Sequence, residues 1–473
     1  MMRRTATPMA RMFPACTVIL VFSTTLYAWA PNDSDLSAAA AAGDFTKYVA
    51  NTTAWLDQKA PNSAAGMTEA RLKVFVTDPA AHKALVQRQF MTRVWGTGKD
   101  VLGAFAKADA KNREFVGWVV RNTQAMDMMM VARTPSAMFA RDDDSWSMDA
   151  GMLSNWRAIY EADPASRQGL YLRLAIATVI RPPGSGNRGA GMQEKPDDVL
   201  SRYTQFKKAH AAGELAASFD GLSVWELTHV VSSCASNADL AWGREMTKAF
   251  KPELLNDERV ANMTSQVQYQ GSQIPYKDFS CVVAGGGKCG PRSSFGVFIN
   301  QAFGIPAVGV GQPAHAAVAY KHFRDGWQVC YGRGWNVSKV TDRYGMSGDE
   351  FLKVTAEREN GTFDLVEHMR WLSAALSDKP RKEAVLAVAR KLHASPAASV
   401  RPRARPVAQR TPRPAPRPQA SAGPAAGVIR IDAAKFFTQG GQVAFGGQYA
   451  GVPVIDSPGG GKQVHFQALM PDS

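Results

Sequence analysis

A chain of 473 residues exceeds what one ordinary core organises, which points to two to four domains, and an apolar fraction of 45% is that of folded protein. The net charge of +14 suggests nucleic acid only until it is located: six arginines stand in one acid-free tract at 401–417 and three more are Arg3, Arg4 and Arg11, which leaves about +5 for the rest. So mild a basicity excludes a nucleic-acid partner and suits attraction to anionic polymers such as cell wall or acidic glycans.

At the N-terminus the three arginines precede an apolar run, Phe13 to Tyr27, that closes on Ala28-Trp29-Ala30. That order is a secretory signal peptide over 1–30, cleaved after Ala30, and it predicts a secreted or periplasmic protein. The run is shorter than the roughly 20 residues of a membrane span, so no span is expected. From about 32 to 265 the chain reads as mainly helical, with helical spacing in Ala81 to Gly103 and Trp156 to Ile180. Phe115, Val116, Trp118 and Val119, the cluster Met126 and Met128 to Met130, and Trp225 to Val231 read as helix-packing core. Pro182-Pro183-Gly184-Ser185-Gly186 reads as a loop.

Between 266 and 345 glycine-punctuated short elements take over. Apolar residues at 295, 298, 299 and 302 mark one helical face, and Pro291 fits only a first turn, so a helix starts at or just after Cys289. Gly304-Ile305-Pro306 ends it. Ala307 to Gly311, His315 to His322 and Trp327 to Tyr331 read as three strands, the last two joined at Arg324-Asp325-Gly326. Residues 349–393 return to helix. The stretch 394–427 carries eight prolines and six arginines and reads as a semi-extended linker. In 428–473 short β-like runs (Val428 to Ile431, Val452 to Ile455, Val464 to Leu469) are separated by glycines.

Beyond the signal segment the cysteines are Cys234, Cys281, Cys289 and Cys330, with no CxxC pair or metal spacing, so neither a disulfide framework nor a zinc site is expected. If one bridge forms, Cys281 with Cys330 is the pair. No acidic loop has calcium-ligand spacing either, and no cofactor or metal is expected. Cys234 falls in a helical stretch, and Cys281 and Cys330 sit among strand-like residues, all three reading as inert. Cys289 differs: a thiol attacks an amide as thiolate, a helix start favours the anion, and Gly285-Gly286-Gly287 and Gly290 leave the sulfur uncrowded with backbone N–H groups free to meet an oxyanion. His315, on a following strand, is the candidate base, whereas His322 reads as exposed.

The stretch Gly287-Lys288-Cys289-Gly290-Pro291-Arg292-Ser293, then Phe303-Gly304-Ile305-Pro306-Ala307, then Ala314-His315-Ala316-Ala317-Val318, then Asp325-Gly326-Trp327 resembles, in order, the core of the transglutaminase-like superfamily. The resemblance covers about 50 residues. It implies an α+β class with a papain-like transglutaminase-like domain over 266–393, behind a helical region over 31–265, and a Cys-His-Asp triad. The pattern departs at the third member, because Trp327 is followed by Gln328-Val329-Cys330-Tyr331 and no acid. Asn336 could orient the imidazole instead, and Asp342 is a more distant candidate. Ile429 to Phe436 and Gln463 to Pro471 resemble, more faintly, strands opening a carbohydrate-binding β-sandwich, of which 46 residues would be a part. The function implied is an exported thiol peptidase, amidase or acyltransferase working on protein, peptide or cell-wall peptide through a Cys289 thioester, with hydrolysis preferred. The alternative is a catalytically inactive protein that binds a surface or polysaccharide.

Overall fold

The computed structural model describes residues 29–93, 100–133, 149–186, 197–271, 275–341 and 345–394, with two short pieces at 448–449 and 452–453. Residues 1–28 of the expected signal peptide over 1–30, the expected linker beyond Ala394 and nearly all of the C-terminal module therefore lie outside the described residues, as does Asp342. Of the module, Gln448–Tyr449 pairs antiparallel with Val452–Pro453.

The first part is helical throughout its described residues: α1 (Asp33–Ala42), α2 (Thr46–Lys59), α3 (Glu69–Thr77), α4 (Pro79–Arg93), α5 (Val101–Ala108), α6 (Ala110–Arg121), α7 (Thr123–Arg133), α8 (Ala150–Ala162), α9 (Gly169–Ile180), α10 (Val199–Ala211), α11 (Val224–Val231) and α12 (Asn237–Phe250). Local chemistry sets many of the starts. Asp100, Asp109, Asp149, Asp198 and Ser236 each accept from the N–H three residues on, and Ser223 with Glu226 closes a full capping box. Each such cap is worth about 1 kcal/mol. The spacing over Trp156 to Ile180 belongs to two helices rather than one, since Asp163 caps a 3-10 turn at Pro164–Arg167 and Gly169 takes φ 59°. Met126, Met129, Phe115, Val116 and Leu227 are fully buried, as their clustering implied, and the stretch at Pro182 to Gly186 is a loop.

The second part runs α13 (Phe279–Gly285), α14 (Cys289–Ala302), β1 (Ala307–Gln312), β2 (His315–His322), β3 (Gly326–Cys330), β4 (Lys339–Val340), α15 (Gly348–Glu359), α16 (Thr362–Ala375) and α17 (Lys379–Ala394). With a helical majority and one four-stranded antiparallel sheet, ordered β3-β2-β1-β4, the protein is α+β. Phe295, Phe298, Ile299 and Ala302 all face inward, and Gly304 at φ 74° ends α14 before the strands. Cys281 lies in helix α13, not among strands, and Cys234 lies in the turn between α11 and α12. Cys281 and Cys330 are both free thiols, so the bridge between them is not formed.

The trailing helices fold back on the first part. α16 packs on α2, α3 and α4, and the Arg381 guanidinium of α17 reaches the Asp57 carboxylate of α2 at 2.7 Å and the carbonyl of Pro61 at 2.9 Å. One continuous apolar cluster consequently runs from Leu36 to Ala389. No helix among the described residues is long and apolar enough to cross a membrane.

Two contacts hold the sheet in place. On one face α14 lies directly against β2: a Cβ on Gly296 would sit 2.5 Å from Val318 Cγ2 and 2.6 Å from Thr264 Oγ1. At the strand's other end the Lys321 ammonium bonds the buried Glu226 carboxylate of α11 and, at 2.8 Å, Glu359 of α15. Burial alone would push the Glu226 carboxyl up, but Lys321 and the Ser223 donors hold it below the ordinary carboxylate range.

Gly296→Val is expected to cost about 1–3 kcal/mol in chemical denaturation, because backbone of helix or strand must move to admit it. Gly271→Ala, where the added carbon meets open space, should change stability little. A carboxyl depressed by folding stabilises above its unfolded value of 4.5 and loses that contribution as pH falls through the folded one. Lys321→Met strands the buried carboxylate, so a loss of about 3–5 kcal/mol at pH 7 is expected, together with a raised onset pH of acid destabilisation in urea titrations.

Candidate active site

Cys289 is the first residue of α14, preceded by Lys288 as N-cap, and no side chain caps this helix start. The loop before it is pinned from behind. Gly287 N–H donates to the Gln268 carbonyl at 2.9 Å, Tyr276 hydroxyl donates to the Gly286 carbonyl at 3.2 Å, and the Gln270 amide donates to the Gly285 carbonyl at 3.2 Å. Ser293 and Ser294 turn back on the Gly290 carbonyl, at 2.8 and 3.1 Å, which tightens the first turn under a half-buried thiol.

His315 opens β2 after a two-residue hairpin in which Ala314 takes φ 56°. Gly296 against Val318 fixes how helix and strand align, and the Gln301 amide near the Ala307 carbonyl, at 3.5 Å, sets the direction. Cys289 lies seven residues before Gly296, about 10 Å along a helix, and His315 three residues before Val318, about 10 Å along a strand. The two side chains therefore stand at the same end of the helix–sheet interface. A further link closes this end: the Arg292 guanidinium, one turn beyond Cys289, lies 5.8 Å from the ring centre of Tyr331. Among the described residues no hydrogen bond joins the Cys289 thiol to the imidazole. Such contacts are commonly long without substrate.

The imidazole has a different partner from the one expected. His315 Nε2 donates to the backbone carbonyl of Tyr331 at 2.7 Å. A carbonyl only accepts, so Nε2 carries the proton and the neutral ring keeps its lone pair on Nδ1. Asn336 does not take the orienting role: it is exposed on a 3-10 turn, and its amide oxygen folds back over Gly334. Asp342 lies outside the described residues.

The carbonyl is aimed by strain and clamps. Tyr331 takes φ 57°, a left-handed conformation that costs a non-glycine residue about 1–2 kcal/mol. Its hydroxyl donates to the Asn262 carbonyl at 3.2 Å. Buried Gln312, facing His315 across the hairpin, donates to the Arg333 carbonyl and the Ser338 hydroxyl and accepts from the Arg333 N–H, each at 2.9 Å. Tyr331 and Gln312 escaped the sequence reading because one acts through its backbone and the other is a common polar residue. The single available signal was the polar glutamine ending an otherwise apolar strand.

Burial sets His322, Cys330 and Cys234 apart from Cys289. His322 is buried, not exposed, and its Nε2 donates to the Asp257 carbonyl at 2.8 Å. Burial pushes the Cys330 thiol up to about 11, which keeps it protonated at neutral pH. Cys234 is buried. Comparison of the chain with protein-family models, with curated proteins and with solved structures finds no match.

The His315 Nε2–H proton, held by a carbonyl, should be detectable by NMR as a slowly exchanging imidazole resonance. Asn336→Ala is expected to leave it unchanged, whereas Gln312→Ala, which frees the loop beyond Tyr331, should shift or broaden it. The opposite pattern would return the orienting role to Asn336.

Proposed function

We propose that the protein is a thiol enzyme of transglutaminase-like type that cleaves or transfers amide bonds, with hydrolysis as the default. The observation that carries this reading is a cysteine at an uncapped helix start and an imidazole with Nδ1 as its free nitrogen at one end of the same helix–sheet interface. In the reaction, Nδ1 takes the thiol proton as Sγ attacks the amide carbon. The N–H groups at the start of α14 face the developing oxyanion, and the proton passes to the leaving amine. Water, activated by the same nitrogen, then attacks the thioester, releasing the acid and restoring the thiol. No metal or cofactor enters these steps.

The surroundings suit a peptide substrate. Exposed Tyr269 and Tyr331 flank Arg292, whose guanidinium lies 5.5 Å from the first ring, and the Arg292 Nε is buried without a hydrogen-bond partner. A peptide carboxylate near the scissile amide would meet that cation. Export, through the signal segment, would set the enzyme against protein or cell-wall peptide, and the faint C-terminal resemblance would add polysaccharide contact.

Cys289→Ala should lower amide hydrolysis or amine transfer by at least about 10³-fold with an unchanged melting curve, whereas Cys330→Ala should leave activity intact. Iodoacetamide at pH 7 should label Cys289 ahead of Cys234 and Cys330. Activity that survives Cys289→Ala would overturn Cys289 as the nucleophile, and wild-type protein without amide hydrolysis or transfer would favour the polymer-binding reading.

A further inference from the structure

Away from the thiol, three helices bring donor groups to one point. His82 lies in the first turn of α4, Asp127 in the middle of α7 and His368 in α16. His368 Nε2 is 2.8 Å from Asp127 Oδ1, His82 Nε2 is 3.6 Å from Asp127 Oδ2, and the two imidazoles meet edge to face with centres 4.7 Å apart. One donor atom from each of the three residues falls within 4.8 Å of the others. Tetrahedral coordination at about 2.0–2.1 Å separates ligand atoms by about 3.3 Å, so small side-chain adjustments would seat an ion among them.

The geometry favours a cation. Two imidazoles and one carboxylate, carried by three different helices, converge on one point, with His82 Nε2 and His368 Nε2 both turned to the Asp127 carboxylate, a donor set that a metal ion would satisfy. The His82 and Asp127 side chains keep 28% and 23% exposure, which leaves an entry path and room for a water ligand.

We propose that His82, Asp127 and His368 bind one divalent transition-metal ion, which fastens α16 to α4 and α7. Two imidazoles and one carboxylate suit zinc(II) or cobalt(II) and disfavour calcium and magnesium, which prefer all-oxygen sites. The expectation of no metal rested on cysteine spacing and on the spacing of acidic loops, and this site uses neither. Because His368 lies 241 residues beyond Asp127 in sequence, binding is linked to folding of the assembled core.

The test needs no enzymatic activity. The folded, chelator-treated chain is titrated calorimetrically with zinc(II), cobalt(II) and calcium(II), alongside His82→Ala and His368→Gln, each checked by circular dichroism. The expected result is one equivalent of zinc or cobalt per chain, a tetrahedral cobalt absorption band and a raised Tm. Binding should be at least about 100-fold weaker in His82→Ala, with no calcium bound. Wild type that binds neither zinc nor cobalt, or His82→Ala that binds them with unchanged stoichiometry and affinity, would overturn the proposal and leave a hydrogen-bonded polar triad. His82 is partly exposed, so its variant decides the matter even if His368→Gln fails to fold.

Discussion

The candidate site depends on how closely α14 approaches β2. A helix usually stands off a sheet by the length of its side chains, but at Gly296 backbone meets the Val318 side chain and Thr264 with no carbon between them. That contact fixes both the height of the helix and its slide along the strand. The two catalytic candidates lie far from it along their elements, yet their alignment follows from it, because helix and strand are rigid rods of known rise. Phe295, Phe298 and Ile299 supply the adhesion, each worth about 1.5–3 kcal/mol of burial, while the glycine supplies the fit.

The second constraint acts on the imidazole. A backbone carbonyl fixes the tautomer as well as a carboxylate would, but it carries only a partial negative charge and so stabilises an imidazolium less. The loop holding that carbonyl is accordingly built with care. A left-handed tyrosine is tied at its hydroxyl by Asn262, faced by Arg292, and backed by a glutamine that spends three hydrogen bonds on the two residues shaping the return to β4. Positive φ at both Ala314 and Tyr331 places strain on either side of His315, the pattern seen where a fold positions a side chain rather than merely packing it.

Polar contacts, not only apolar ones, join the sheet-bearing part to the first helices. Lys321 leaves the same strand as His315 and ends between two acids on separate helices. Arg381 caps the seam between α17 and α2, and Asp127 reaches His368 across α7 and α16. Buried charges of this kind define one arrangement of the helices, because sliding any of them would leave a desolvated charge alone.

Much of the scaffold was legible in the sequence, since helix starts, the α14 face, its stop at Gly304 and the limits of β2 are decided by neighbours within a few residues. Cys289 at a helix start and His315 at a strand start belong to that local layer. What the sequence could not show were properties that exist only between distant segments. Cys281 and Cys330 fall on a helix and a strand and stay free, His322 is buried against Asp257, and the partner of His315 is a peptide carbonyl with no side-chain signature. The His82, Asp127 and His368 cluster is invisible for the same reason: its members share no spacing, and only the return of α16 onto α4 and α7 brings them together. Local backbone preference wrote the elements into the chain, and burial against remote partners decided which of their polar groups meet.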